Sequence, residues 1–157
     1  MPDEIARLVR RVATTRAGRW FDQQCVWWCG ESPNGRLYAW ATGVPYRPST
    51  ILTTVGRRSG NLHRVVLPWY PARDGAIAVV GSKGGHPIDP HWVLNLRADP
   101  RVWVRDRGVD RAHTAHVAAG EERAALWAEI VERAPMYEDY QRVATERELP
   151  VVILEPR

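Results

Sequence analysis

The chain has 157 residues, 45% of them hydrophobic and 25% charged, which makes one ordinary domain able to bury roughly two thirds of its unfolded surface without staples. No apolar run approaches the roughly 18 residues of a membrane span, and the arginine-bearing first twenty residues lack the apolar core of a secretory signal, so the expected location is cytoplasmic. The net charge of +4 hides an asymmetry: residues 1–119 carry 17 basic and 9 acidic side chains, residues 120–157 carry 5 and 9, and the body of the domain therefore favours an anionic partner.

In chain order, "PDEIARLVRRVATTRAGRWF" sets Ile5, Leu8, Val9 and Val12 at helical spacing with Arg7, Arg10 and Arg11 off that face. It predicts a basic amphipathic helix, docked on the domain or in peripheral contact with the inner face of a membrane. Cys25 and Cys29 are the only cysteines, short of the four ligands of a structural zinc site, so no metal is expected and both read as buried thiols. "CVWWCGESPNGRLYAW" has two aromatic-rich runs about a Pro, Asn and Gly turn and reads as a hairpin or an irregular cover held by tryptophans. "ATGVPYRPS" is a loop.

Strand signals then recur at 50–55, 61–70, 76–82, 101–106, 111–118 and 150–156, joined by tight turns such as "GRRSG", "ARDG" and "DRGVD", so neighbouring strands are expected to pair antiparallel. Two helices interrupt them. One is expected from Asp89 as N-cap, with Pro90 at the first helical position, to just before Pro100. The other runs from Gly120 to about Glu148, with Ala124, Trp127, Ala128 and Val131 on one face and a reset at Pro135. Six or so antiparallel strands with helices outside predict an α+β fold closed into a small barrel.

Walker loops, GxGxxG, HExxH and GxSxG are all absent, which removes support for phosphate-loop ATPases, Rossmann dehydrogenases, zinc proteases and serine hydrolases. Three constellations remain. The turn Gly56, Arg57, Arg58, Ser59, Gly60, with Arg64 six residues after Arg58, offers guanidinium forks and backbone N–H groups to a phosphate or carboxylate, or is a solvated turn. The segment Gly81, Ser82, Lys83, Gly84, Gly85 holds the only lysine beside 21 arginines, next to a helix presenting Trp92, Asn95 and Leu96, a wall suited to a planar heterocycle or to plain core. Tyr137 and Tyr140 share a helix face with Ala144 and either pack inward or overhang a pocket. The five histidines show no metal spacing, and His113 and His116 are expected on opposite faces of a strand.

Together "ILTTVGRRSG", "VVGSKGGHPIDPHWVLNLRADPRVWV", "GEERAALWAEIVERAPMYEDYQ" and "ELPVVILEP" resemble the deazaflavin-dependent nitroreductase family, small split β-barrels of the flavin-reductase type that use coenzyme F420. The resemblance covers residues 48–157 and implies a coenzyme-binding barrel there, with residues 1–47 as a cover or lid. It implies reduced 8-hydroxy-5-deazaflavin as cofactor, hydride transfer to a quinone, enone or nitro acceptor, no nucleic acid partner and an open oligomeric state. The phosphodiester and glutamate tail of the coenzyme falls to Arg57, Arg58, Ser59, Gly60 and Arg64, its ring to Ser82, Lys83, Gly84, Gly85, Trp92 and Asn95. The acceptor falls to Trp69, Tyr70, Trp92, Tyr137 and Tyr140, with Tyr137 or Ser82 as proton donor. Family tyrosines are replaced by Ala134 and Val93, which implies a more open acceptor pocket, and the choice between Trp69 and Tyr70 as the ligand-facing residue stays open. An FMN-dependent reductase on the same barrel, a non-catalytic F420 carrier and a basic nucleic-acid-binding barrel are the competing readings.

Overall fold

The computed structural model describes residues 11, 15–106 and 108–157. The helix expected around Ile5 to Val12 lies outside the described residues. From Thr15 onward, five α-helices and seven strands follow.

The first two elements correct the expectation of a hairpin. Residues 16–42 form two helices, α1 (Arg16–Cys29) and α2 (Pro33–Thr42). The reason is capping: Thr15 Oγ1 accepts from the Gly18 amide at the start of α1, and Gly30 closes it at φ 74°. Ser32 caps α2 with Pro33 at its first position, and Gly43 closes it at φ 71°. Buried Asp22 accepts the Ser32 hydroxyl at 2.9 Å and the Asn34 amide at 3.0 Å, which ties the two helices together. The thiols are not buried either: Cys25 is half-buried and Cys29 exposed.

The strands appear close to where the residue pattern places them: β1 (Ser49–Val55), β2 (Leu62–Pro68), β3 (Tyr70–Pro71), β4 (Ile77–Val80), β5 (Arg101–Asp106), β6 (Val109–Val117) and β7 (Val151–Pro156). They form one sheet in the order β2-β1-β5-β6-β7-β4-β3, every pair antiparallel. The sheet curls until β2 touches β4, giving a split barrel. Three further helices pack on it: α3 (His91–Ala98), α4 (Gly120–Arg133) and α5 (Met136–Val143).

Alternation along the strands separates two cores. Leu52, Val79, Val102, Val104, Ala115, Val152 and Leu154 point into the barrel, where Trp92, Val93 and Leu96 of α3 close them off. Their neighbours Ala78, Val80, Val151 and Ile153, with Tyr70, point outward onto Ile130 and Ala134 of α4 and Tyr137 of α5. Each fully buried Val, Leu or Ile contributes about 1.5–3 kcal/mol, so the two cores fix the register of β4 and β7.

Two helical expectations shift. The packed face of α4 runs through Leu126, Trp127, Ile130, Val131 and Ala134, while Ala124 and Ala128 are exposed, because the larger side chains take the sheet face. Asp89 is not the cap of α3: the helix starts from Pro90 without a side-chain cap, and the Asp89 carboxylate instead accepts from Arg97 and Arg147, each at 2.7 Å.

Candidate active site

The β1–β2 turn and α3 enclose a cleft of about 490 Å³, lined by Gly56, Arg57, Arg58, Ser59, His63, Arg64, Val65, His91, Trp92 and Asn95. Its geometry starts from Asn95. This side chain is buried, donates to Thr54 Oγ1 at 3.2 Å and accepts at Oδ1 from both the Arg57 amide, at 3.3 Å, and the Arg57 guanidinium, at 3.1 Å. Asn95 therefore positions Arg57, and Thr54 takes one of its two amide hydrogens.

The turn itself consumes three of the five amides that the sequence offered to an anion, those of Gly56, Arg57 and Gly60. Gly56 N donates to Asn61 O and Gly60 N to Gly56 O, both at 2.8 Å, and Asn61 N donates to Ser59 Oγ at 3.2 Å. The side chains add positive charge: Arg57 and Arg58 are exposed at the cleft, and no carboxylate lines it. Gly56 has a packing role, since a Cβ there would meet His63 Nε2 at 2.6 Å. His63 and His91 also line the cleft. Arg64 lines it too, but its guanidinium lies 4.9 Å from the Trp27 ring centroid, with Arg105 stacked on the same ring at 3.3 Å. Trp27 belongs to α1, so the N-terminal helices reach the edge of the cleft.

The second constellation is the loop before α3. Lys83 (φ 47°), Gly84 (φ 63°) and Gly85 (φ 80°) are three successive left-handed residues, and Lys83 pays the steric cost of a Cβ in that region. Arg147 holds them there. Its side chain, 11% exposed, donates to the carbonyls of Gly81 (3.1 Å), Ser82 (2.9 Å) and His86 (2.8 Å) as well as to Asp89. Two of the glycines make room for protein: a Cβ on Gly81 would meet Pro150 at 2.7 Å and Val93 at 2.8 Å, and one on Gly85 would meet Tyr140 O at 2.8 Å. Only Gly84 has open space on that side, next to exposed Lys83.

The third constellation packs inward. Tyr137 is buried, with ring centroids of Tyr140 at 6.1 Å, Tyr70 at 6.2 Å and Trp127 at 6.5 Å. Burial pushes the Tyr137 phenol well above its ordinary range, and Tyr70 next to it raises it further. Burial also raises the Tyr70 phenol, against the opposing pull of Tyr137 and Arg47. The two phenols interact electrostatically, yet the Tyr70 hydroxyl completes no hydrogen bond among the described residues.

Of the expected acceptor residues, Tyr70, Tyr137 and Tyr140 come together on the helix-covered face, and α5 joins them to the Lys83 loop. Trp92 lies on the barrel side, as core and cleft wall at once. Trp69 packs against the barrel core and lines a larger cleft of about 1080 Å³ at the opposite end of β1, so Tyr70 is the partner of Tyr137. Val93 is fully buried in the barrel core and Ala134 in the outer one.

Residues 33–156 match the family model described as F420H2-dependent quinone reductase. The chain belongs to this family. The F420H2-dependent quinone reductase Rv1261c of Mycobacterium tuberculosis is 36% identical over 128 residues, 79% of this chain and 83% of the relative. Among solved structures, the F420H2-dependent reductase FDR-A is 40% identical, covers 69% of this chain and 95% of its own, and superposes with a TM-score of 0.62. A second, described as a domain-swapped dimer, is 34% identical over 87% of this chain and 97% of its own, with a TM-score of 0.63. The quinone reductase family match begins at the first residue of α2, so α2 lies inside the shared region.

Proposed function

We propose that this member of the F420H2-dependent quinone reductase family binds F420 between the Arg57 turn and the Lys83 loop and reduces a quinone beside Tyr137. The observation that carries the placement is the cleft's charge: Arg57 and Arg58 are exposed and no carboxylate is in the lining, while the strained, clamped loop that precedes α3 in the chain bears the single lysine. A polyanionic coenzyme tail matches that donor set, because guanidinium forks grip phosphate and carboxylate bidentately. Reduced F420, when bound, supplies a hydride from its ring carbon.

The protein's own contribution is binding, orientation and proton supply. Arg57, fixed by Asn95, and Arg58 hold the tail. Lys83 offsets its charge at the loop. Trp92 walls the cleft against water. Tyr137 keeps its proton through the neutral range, as an ordinary phenol does, and in the proposed role donates a hydrogen bond to an acceptor oxygen that becomes negative as the hydride arrives. Ser82, half-buried at the start of the loop, is the alternative donor.

Calorimetric titration at low ionic strength tests the placement. F420 is expected to bind, FMN to bind at least tenfold more weakly, and Arg57→Ala to lose roughly tenfold or more in F420 affinity, as expected for one charge-assisted contact. Equal affinity for both coenzymes, or an unaffected Arg57→Ala, contradicts it.

A further inference from the structure

We propose that Arg47 and Tyr70 together form an oxyanion site beside Tyr137, which holds the acceptor oxygen that turns negative during reduction. Among the described residues three buried side-chain nitrogen or oxygen atoms lack a hydrogen-bond partner: Arg47 Nε, the Tyr70 hydroxyl and Arg123 Nε. A buried donor left in this state forfeits the water it had in the unfolded chain, so each asks for a reason. Arg123 at least has its charge answered, by Glu148 at 2.9 Å. Arg47 has no such counter-ion.

Arg47 stands half-buried in the loop between α2 and β1 and makes no ion pair among the described residues. Its one hydrogen bond there runs from Nη2 to the Arg133 carbonyl at 3.1 Å, on the last residue of α4. Capping a helix end in this way accounts for Nη2 and leaves the Nε hydrogen unused. Tyr70 reaches the same junction from β3: it is 3% exposed, packs with Ala134 and Tyr137, and meets the Tyr137 ring edge-to-face at 6.2 Å. The two side chains sense each other, since burial raises the Tyr70 phenol while Tyr137 and the Arg47 charge pull it down. They do not bond each other, and one negative oxygen set between them would accept from both at charge-assisted strength.

Reduction supplies such an oxygen. A quinone that takes a hydride from reduced F420 gains two electrons and one hydrogen and becomes a hydroquinone monoanion; one proton, from Tyr137, Ser82 or solvent, completes the hydroquinone. Donors fixed in advance where the charge develops lower the barrier, because nothing has to reorganise as it forms. The assignment deepens the quinone reading above and rests on it, but the anion site has a test of its own.

Calorimetry and steady-state kinetics on the F420-loaded protein test it. 4-Hydroxycoumarin, an anion at neutral pH, stands for the flat, singly negative product, and 4-methoxycoumarin is its neutral counterpart. The wild type is expected to bind the anion about tenfold or more tighter than the neutral compound, and Arg47→Met and Tyr70→Phe to erase most of that preference. With menadione both variants are expected to lose on the order of a hundredfold in kcat with the KM for F420H2 unchanged, and Arg47→Lys to keep part of the rate. Tyr70→Phe removes a hydroxyl that bonds nothing in the folded chain, so its urea midpoint should be no lower than that of the wild type, which separates the site from folding. Equal affinity of the wild type for the two coumarins, or a Tyr70→Phe enzyme as fast as the wild type, overturns the proposal. A wild type that discriminates the coumarins through Arg47 yet leaves F420H2 unoxidised by menadione keeps the anion site and strikes the quinone reading alone.

Discussion

Asn95 shows how one side chain can set a site through the neighbours it holds. Each of its bonds to Arg57 and Thr54 is buried or half-buried, and cutting the side chain back leaves those partners without an acceptor or donor. Asn95→Ala is expected to lower stability by about 1–3 kcal/mol in urea unfolding and to weaken F420 binding beyond what the lost stability explains, since Arg57 is released from its fixed position. Binding unchanged in the folded variant would show that Arg57 needs no such support. A separate residue-scale effect concerns acid. The guanidinium and amide of Arg101 hold the Asp99 carboxyl down from 3.8 to about 2, so the folded state gains from this group above its ordinary range and loses that gain as pH falls through about 2. Asp99→Asn is expected to flatten part of the fall in Tm between pH 4 and pH 2; Tm curves of wild type and variant that stay parallel across that window would refute it.

At the scale of elements, strands were legible and the N-terminal helices were not. Residues 76–82 and 150–156 announce themselves because small and branched apolar residues alternate between two cores, and short glycine turns force antiparallel pairing. α1 and α2 were obscured by their tryptophans, whose strand preference suggested a hairpin or an irregular cover; Pro33, Asn34 and Gly35 were read as a turn when they open a helix capped by Ser32, two residues after Gly30 stops the helix before it. The site was legible in part. The Arg57 turn and the Lys83 loop carry local signals, but Arg147 lies about sixty residues from the loop it clamps, and no short-range pattern links the two. Arg147→Met is expected to cost about 2–4 kcal/mol, because it strips charged donors from three carbonyls and leaves Asp89 with Arg97 alone. The discriminating readout is hydrogen exchange: amides of residues 83–86 should lose protection in the variant before the barrel strands do. Loss spread evenly over both would make Arg147 a general stabiliser with no special hold on the loop.

For the molecule as a whole, the split barrel separates duties between its two faces. The barrel side and α3 build the cationic cleft, the helix-covered side buries the tyrosines, and α5 connects them by packing Tyr140 and Val143 on Gly85. α1 adds Trp27 to the cleft edge and turns Trp20 and Trp28 outward, so one helix faces the cationic cleft on one flank and solvent on the other. Of the 17 basic residues among the first 119 positions, Arg57, Arg58 and Arg64 line the cleft. The acidic helices α4 and α5 lie on the opposite face of the sheet from the barrel interior that α3 closes.

Hydride transfer from reduced F420 to a quinone is the claim on which the assignment of these parts depends. It is measured most directly by following anaerobic oxidation of F420H2 with menadione, with and without protein, alongside Lys83→Ala. The wild type is expected to accelerate the reaction with saturation in both reactants, and Lys83→Ala to lose roughly tenfold or more in kcat/KM for F420H2 while remaining folded. A wild type that binds F420 yet leaves the rate at its uncatalysed value, or a Lys83→Ala variant as fast as the wild type, would contradict the account.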